Sequence, residues 1–595
     1  MISYIVTPIL YIFLVITFKY LFSLRKRLPL PPGPFSWPLI GNIFQVDRRR
    51  PHASLSKLAQ AHAPDLMSIR FGTRLVVIAS SPAAASEVLK TNDRMLSGRY
   101  LSPHIRVKGS RLHNLSTALL EECDDYWKSI RKIYRAELFS TKALESQLSM
   151  REKKVAEMMH HLTIKQGQSI KIRDVVSVTS FNVMGNLILS TDLIDFQGKG
   201  VGQRMRKYVT RYTKLAATPQ LADLYPILGI FSGDFQGTYK KLMVLFDKIC
   251  DVWTGILQDR RNRDSQLPSL GSIDFIDAMV KNGYTDTQIN ALLVETFGAG
   301  TESTTATSEW MLVELLRHPQ ALQKLRNEIA EVVGGKNNVI KEADLQNLPY
   351  LEACFKETLR LHPPGPLLLP HRAVQTCEVM GYRIPKDTQV MVNMWAIARD
   401  PKNWGDPSSF KPERFINSKM DYIGRYFEYI PFGSGRRMCA GQPLASRFVP
   451  LVVASLIHGF DWILPNDMDP AQIDMDEILD ITMFKNDPLL IIPTLRKRVR
   501  TFSIGFCLNR HFRLFLLWVI RYLDPFACPF HTRIFTPRCL GFLYFFVDMK
   551  KSYHSASEIT QLDLVSPNRF AVLEDLEQEE AKMPNLDTAE SKEIA

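Results

Sequence analysis

From Thr285 to Arg317 the chain runs 33 residues without a proline. The run opens on Thr285-Asp286-Thr287-Gln288 and stops at His318-Pro319. The opening has the side chains of a capping box, and a proline cannot continue a helix. At 1.5 Å per residue such a helix is about 50 Å long, enough to cross a whole domain. A fold that accommodates it has to be built around it, and the rest of the chain agrees. Segments 51–62, 82–92, 119–137, 140–165, 172–190, 200–216 and 237–262 have helical patterning. A hairpin is expected at Leu66–Ala79, and short strands at 376–393 around Val379, Ile384 and Val390–Val392. The expected class is mainly α with a small β portion. No internal repeat or low-complexity linker divides residues 35–498, which read as one large domain.

The middle of the long helix is unusual. Gly298-Ala299-Gly300-Thr301-Glu302-Ser303-Thr304-Thr305 places two glycines and four hydroxyl residues where a buried helix would use better helix formers. Two readings stand. The glycines can let neighbouring helices approach closely. Alternatively, the hydroxyls bond back to the backbone and distort the helix, opening a polar groove beside a bound group.

Both ends of the chain differ from its body. Met1–Leu24 is almost wholly apolar, with Lys19 its only charge, and Arg25-Lys26-Arg27 follows. About 20 apolar residues span a bilayer, and positive residues stay cytoplasmic. Residues 1–24 are therefore expected to be a single transmembrane signal anchor with the body in the cytosol. Residues 25–34, basic and then rich in proline, read as a stiff extended hinge. Residues 499–595 form an atypical C-terminal extension. Its first half is aromatic but broken by Arg510, Arg513, Arg521, Arg533 and Arg538, and 571–595 is acidic and expected to be disordered. An error of the gene model would explain it. Asn114-Leu115-Ser116 is a glycosylation sequon that a cytosolic domain would not use.

Composition excludes little more. Hydrophobic residues at 46% and charged residues at 23% rule out a wholly disordered or many-pass membrane protein. The net charge of +13 permits an anionic partner, but no nucleic-acid motif accompanies it. Eight cysteines in so long a chain make no disulfide scaffold. One of them has a special setting: Phe432-Gly433-Ser434-Gly435-Arg436-Arg437-Met438-Cys439-Ala440-Gly441, followed by an apolar helical stretch from Leu444. A loop of this kind, feeding a helix N-terminus, supplies amides and dipole to a thiolate. Gly435 and Gly441 allow tight turns and close approach of a large flat ligand, and Arg437 can pair with an anionic group on it. A haem held by an axial cysteine thiolate has these requirements.

With these residues the sequence resembles the cytochrome P-450 haem-thiolate monooxygenases. Phe432, Gly435, Arg437, Cys439 and Gly441 match the family's F-x-x-G-x-R-x-C-x-G signature throughout. Glu357-Thr358-Leu359-Arg360 is similar to its E-x-x-R pair, and Pro412-Glu413-Arg414-Phe415 to its P-E-R-F. The resemblance implies the P-450 fold, haem b (iron protoporphyrin IX) on Cys439, and a buried charge network of Glu357, Arg360 and Arg414. It implies that Trp127 and Arg131, which match W-x-x-x-R, reach a haem propionate, Trp127 through its indole N–H. Arg372 and Arg437 are further propionate candidates. Ala299-Gly300-Thr301-Glu302-Ser303-Thr304 aligns with A-G-x-D/E-T-T, with Ser303 where the family usually has threonine. Glu302 and Ser303 would carry protons for oxygen–oxygen bond cleavage, with Thr304 next in line. Serine keeps the hydroxyl but loses the methyl that restricts its rotamer.

Leu367–Ala373, Thr376–Tyr382 and Tyr429–Gly435 are similar to plant microsomal members, closest to the group of N-methylcoclaurine hydroxylase, corytuberine synthase and berbamunine synthase. That likeness implies oxidation, by hydroxylation or phenol coupling, of a benzylisoquinoline-type alkaloid. A terpenoid hydroxylase is the neighbouring alternative. By position in the family the pocket would be lined by Phe297, Ala299, Leu367, Leu368, Met483 and Phe484. Implied partners are NADPH-cytochrome P-450 reductase, cytochrome b5 and the endoplasmic reticulum membrane, with Lys128, Arg131, Lys132 and Arg135 as a docking face for an acidic flavoprotein. A haem-thiolate isomerase or dehydratase, or a non-catalytic haem protein, would leave the acid–hydroxyl pair Glu302-Ser303 unexplained.

Overall fold

The computed structural model describes residues 28–102, 116–118, 120–197, 201–225, 237–264, 274–334 and 339–496. The chain divides into two compact units, Met1–Val499 and Arg500–Ala595, and the described residues lie in the first. The expected anchor at 1–24, the sequon's Asn114 and the extension at 499–595 lie outside the described residues. Among the described residues no helix is long and apolar enough to cross a membrane.

The main helices are α1 (Pro51–His62), α2 (Asp125–Ile133), α3 (Leu148–Ile164), α4 (Ile172–Leu189), α5 (Val201–Ala217), α6 (Thr238–Asp264), α7 (Asp286–Arg317), α8 (Pro319–Val333), α9 (Pro349–Leu361) and α10 (Gln442–Gly459). The central one is α7. The Thr285 hydroxyl accepts from the Gln288 N–H while the Gln288 side chain accepts from the Thr285 N–H, so the capping box forms as read. Helix α7 packs on α4, α5, α6, α9 and α10, and its buried residues belong to the main core. The expected helix at 119–137 is shorter than its pattern. Asp124 caps it by accepting from the Trp127 N–H at 2.7 Å, and it ends in a wide turn, Tyr134–Leu138. The expected helix at 140–165 breaks at Gln147.

The larger sheet pairs strands far apart in the chain. Leu66–Phe71 and Arg74–Ala79 form the hairpin, with Leu66 opposite Ala79. Gln389–Val392 runs parallel to the second of these, His371–Arg372 antiparallel to Gln389–Val392, and Gly98–Arg99 completes the edge. Arg99 thus lies opposite His371. A three-stranded sheet that the sequence pattern did not announce sets Leu490–Leu495 between Ile170–Lys171 and Phe460–Ile463.

The proline-rich stretch is partly built into the body. Ser68 donates its N–H to Pro32 O at 2.8 Å and its hydroxyl to Pro31 O at 2.6 Å, and the Arg383 N–H donates to Pro29 O at 2.9 Å. Gly33 fits only as glycine, because a Cβ there would meet Ser68 O at 1.8 Å. Beyond it, Phe35, Trp37, Leu39 and Phe44 stand exposed around a tight turn closed by Trp37 and Gly41.

Candidate functional site

The cysteine loop is set by two constraints. Gly435 has φ +69°, and a Cβ there would lie 2.2 Å from Leu89 O, so the loop closes against its neighbour only with glycine. The Cys439 N–H donates to Phe432 O at 2.9 Å, and the Phe432 ring meets Tyr422 edge-on at 5.7 Å. Gly441 has an ordinary φ of −81°, so no left-handed backbone requires it. The Cys439 sulfur accepts from the amides of Gly441 and Gln442, where α10 begins. Cys439 keeps accessible surface although protein encloses it, so that surface belongs to an internal pocket. Burial pushes the thiol up, while the two amides and Arg131 pull it back.

Cations gather beside that pocket. Arg437 donates to the carbonyls of Ser97 at 2.8 Å, Thr117 at 2.8 Å and Leu120 at 2.6 Å. Arg99 donates to Ala118 O and Leu369 O, and burial together with Arg437 lowers it to about 9. His371 is lowered to about 3 by burial, Arg99 and Arg437, so its ring is neutral at pH 7. Arg131 lies over the Trp127 ring at 5.6 Å and makes no hydrogen bond to a described residue. Two carboxylates act on this group, Glu295, itself pushed up by burial, and Asp124, which acts on Arg437. Glu295 accepts from the Thr117 hydroxyl and from the Ala118 N–H at 3.0 Å. Three enclosed arginines with so little compensating charge suit a ligand carrying carboxylates. With a thiol on helix-terminal amides beside them, the donor set fits a flat, dicarboxylate metal macrocycle.

Two propionate expectations need correction. Arg372 is already neutralised: it pairs with Asp387 at 2.7 Å, Glu121 at 3.5 Å and Glu122 at 3.7 Å. Successive strand residues face opposite sides, so the neutral ring of His371, not the Arg372 guanidinium, lies beside Arg99 and Arg437. The Trp127 indole N–H donates to Thr117 O at 3.2 Å rather than standing free for a ligand. Arg99 and Glu295 were missed in the sequence, where no local pattern marks them.

The charge network lies behind the loop. Arg360 and Glu357, both fully buried, are joined at 2.7 and 2.9 Å, and Arg414 Nε reaches Glu357 at 3.1 Å. Arg360 also donates to Ala398 O and Pro407 O, each at 2.7 Å, and stacks over Trp404. Tyr429, packed against Trp404 and Phe415, donates its hydroxyl to Lys356 O and joins this layer to α9.

On α7 the helix runs unbroken, so the expected local distortion is absent. Each hydroxyl instead donates to the carbonyl four residues back: Thr301 to Phe297, Ser303 to Ala299 at 2.6 Å, Thr304 to Gly300 at 2.8 Å and Thr305 to Thr301. Both glycines serve helix packing. A Cβ on Gly300 would meet Met184 Sδ at 2.8 Å, and one on Gly298 would meet Thr213 Cγ2 at 3.2 Å. Ala299 and, one turn on, Ser303 are accessible while Thr304 is buried. Glu302 turns toward α5 and is pushed up to about 7, chiefly by burial.

The pocket expectations divide. Ala299 is accessible on α7, and Leu368 lies against Gly433 of the cysteine loop. Phe297 is a correction: it is fully buried between Phe181 and Trp253, because it lies about 200° around the helix from Ala299. Met483 is also fully buried, and the Phe484 ring lies under the Arg173 guanidinium at 4.9 Å. Leu367 packs into the separate small core with Leu55 and Met67. Phe297 and Met483 are closed off by their neighbours, whereas Leu367 and Phe484 stay half-buried.

Comparison with known proteins bears on the same residues. The family described as Cytochrome P450 matches residues 31–491. The chain is 46% identical over 485 residues to the probable (S)-N-methylcoclaurine 3'-hydroxylase isozyme 2 of Coptis japonica, covering 80% of this chain and 97% of that one. It is 43% identical to corytuberine synthase of Coptis japonica, covering 78% and 94%. A solved zebrafish cytochrome P450 with abiraterone superposes with a TM-score of 0.62 at 25% identity, covering 75% of this chain and 99% of that one.

Proposed function

The chain belongs to the cytochrome P450 family, and from that premise we propose that this haem-dependent monooxygenase oxidises a benzylisoquinoline-type alkaloid. Haem b, reduced through a redox partner, supplies the oxygen-activating chemistry. The observation that carries the site assignment is the Cys439 sulfur held on the Gly441 and Gln442 amides, with Arg99, Arg131, His371 and Arg437 beside it.

In this reading Cys439 would hold the haem through its sulfur, and Arg99, Arg131 and Arg437 would meet its propionates. Arg131, with no competing hydrogen bond to a described residue, serves a propionate directly. Trp127 and Arg437 hold Thr117, and with it the wall of the pocket. The Glu357–Arg360–Arg414 network keeps the loop's support rigid. Ser303 presents a hydroxyl to the pocket, and Glu302, poised near neutrality, holds and releases the proton. Leu368 and Ala299 give the substrate an apolar wall.

Relatives named for hydroxylation and for corytuberine synthesis support the alkaloid class and leave both reaction types within this reading. The electron donor proposed is NADPH-cytochrome P450 reductase, with cytochrome b5 as a second donor. The site proposed is the endoplasmic reticulum membrane, with 1–24 as a single-pass anchor, 25–34 as the connection, 35–498 as the cytosolic catalytic domain and 499–595 as an extension outside it. The test is turnover of N-methylcoclaurine-type and geraniol-type substrates by the reductase-coupled enzyme. Oxygen- and reductase-dependent product from the alkaloid alone supports the proposal. Product from the terpenoid alone overturns the substrate class.

A further inference from the structure

Glu302 sits where α5 crosses α7, and Gly298 makes the crossing close. The space a Cβ would take there is bounded by Thr213 Cγ2 at 3.2 Å and Val209 Cγ1 at 3.7 Å. Thr213 therefore comes within reach of the acid. Its hydroxyl oxygen lies 3.3 Å from Glu302 Oε1 and 3.1 Å from Thr210 O, two acceptors for one hydroxyl proton. Thr210 also hydrogen-bonds the Glu302 carboxyl. The charged group acting on Glu302 is Asp480, exposed in the turn between Glu477–Leu479 and Met483–Lys485. Burial and Asp480 push Glu302 toward its acid form, and the α5 hydroxyls pull it toward the carboxylate.

A threonine hydroxyl both donates and accepts. When Glu302 is ionised, Thr213 can donate to it. When Glu302 is protonated, its O–H can donate to the Thr213 oxygen while Thr213 donates to Thr210 O. We propose that Thr213 is a positioning residue for proton delivery, turning its hydroxyl between Thr210 O and Glu302 so that the acid is hydrogen-bonded in both protonation states. Thr213 keeps its own proton throughout. Glu302 gives one proton toward the pocket and regains one from solvent. The inference rests on the reading of Glu302 as the proton-carrying acid.

The test uses the haem-loaded full chain with Thr213→Val, Thr213→Ser, Asp480→Asn and Glu302→Gln. Valine keeps the shape packed on Gly298 and loses only the hydroxyl. Two quantities are followed against pH: the infrared carboxyl band that Glu302→Gln removes, and product formed per electron consumed. Thr213→Val should move both titrations upward by about one pH unit, Asp480→Asn should move them downward, and Thr213→Ser should restore the wild-type position. Opposite shifts from two variants on different elements are not expected of a purely structural role. Wild-type titration in Thr213→Val, with Glu302→Gln still uncoupled, overturns this inference alone. Full coupling in Glu302→Gln overturns the reading beneath it. Should Thr213→Val fail to load haem, Thr213→Ala is read in its place, with the same upward shift expected and a wild-type titration overturning the inference.

Discussion

Ser303 donates its hydroxyl to Ala299 O at 2.6 Å, so its oxygen can accept in the pocket as it stands but must rotate before it can donate there. Serine rotates more freely than threonine, which lets it serve and also lets it miss. Ser303→Ala should raise peroxide released per NADPH consumed, and Ser303→Thr should lower it. Equal peroxide yields in all three proteins would remove Ser303 from proton delivery and turn attention to Thr304. Glu302 gives the pH dependence. Burial lifts its carboxyl to about 7, so it is mainly acid below that pH and mainly carboxylate above it. Product per electron should change across neutral pH, and Glu302→Gln should flatten that change. At this scale the sequence was informative where chemistry is local. Cys439 announced itself through the glycines and arginine around it. Arg99 did not, because only the pairing of Gly98–Arg99 with His371–Arg372 brings it to the site. His371 and Arg372 were adjacent letters, and only the strand's alternation decides which one faces the cations.

Among the elements, α9 and the segment around Arg414 act as one. Arg360 is fully buried and satisfied by Glu357 and three backbone carbonyls. Arg360→Ala leaves Glu357 buried with Arg414 alone. Removing one partner of a buried pair costs roughly 3–5 kcal/mol. Little haem-loaded protein should accumulate, and normal haem content by absorbance would count against the network's role. Gly435→Ala is a second test of the same layer. The left-handed backbone alone costs about 1–2 kcal/mol, and the contact with Leu89 O adds to it. The expected outcome is a lowered unfolding midpoint and a weakened thiolate band in the reduced carbon monoxide spectrum. The long α7 was legible because its cap, its length and its stop are all local. Its glycines were legible as special but not as to purpose, since Met184 and Thr213 belong to other helices. Phe297 was misread for the same reason. It was placed with Ala299 in the pocket, and only the packing of Phe181 and Trp253 shows that it lies on the other side of the helix.

At the scale of the molecule, the P450 match ends at residue 491, and the described structure ends at 496. Residues 1–498 should therefore give the same reduced carbon monoxide band, near the thiolate position, as the full chain. A band present only in the shorter protein would mean that the extension disturbs folding, and no such band in either would remove the thiolate assignment. The mainly helical class with its small β portion was readable because helices were marked by period and cap. The three-stranded sheet was not, because Leu490–Leu495 pairs with Ile170–Lys171, far away in the chain, as well as with Phe460–Ile463.

Docking of the prolines also fixes a leash. If the membrane span ends at Leu24, only Arg25–Leu28 separate it from Pro29, which is already bound to Arg383. Four residues reach about 14 Å at full extension. Were the proposed anchor in a bilayer, that tether would keep the sheet side of the domain near the lipid, with the exposed Phe35, Trp37, Leu39 and Phe44 on the tethered side. The short connection would then limit how the domain turns on the bilayer, and an apolar substrate dissolved in the lipid would meet the enzyme from a restricted range of directions.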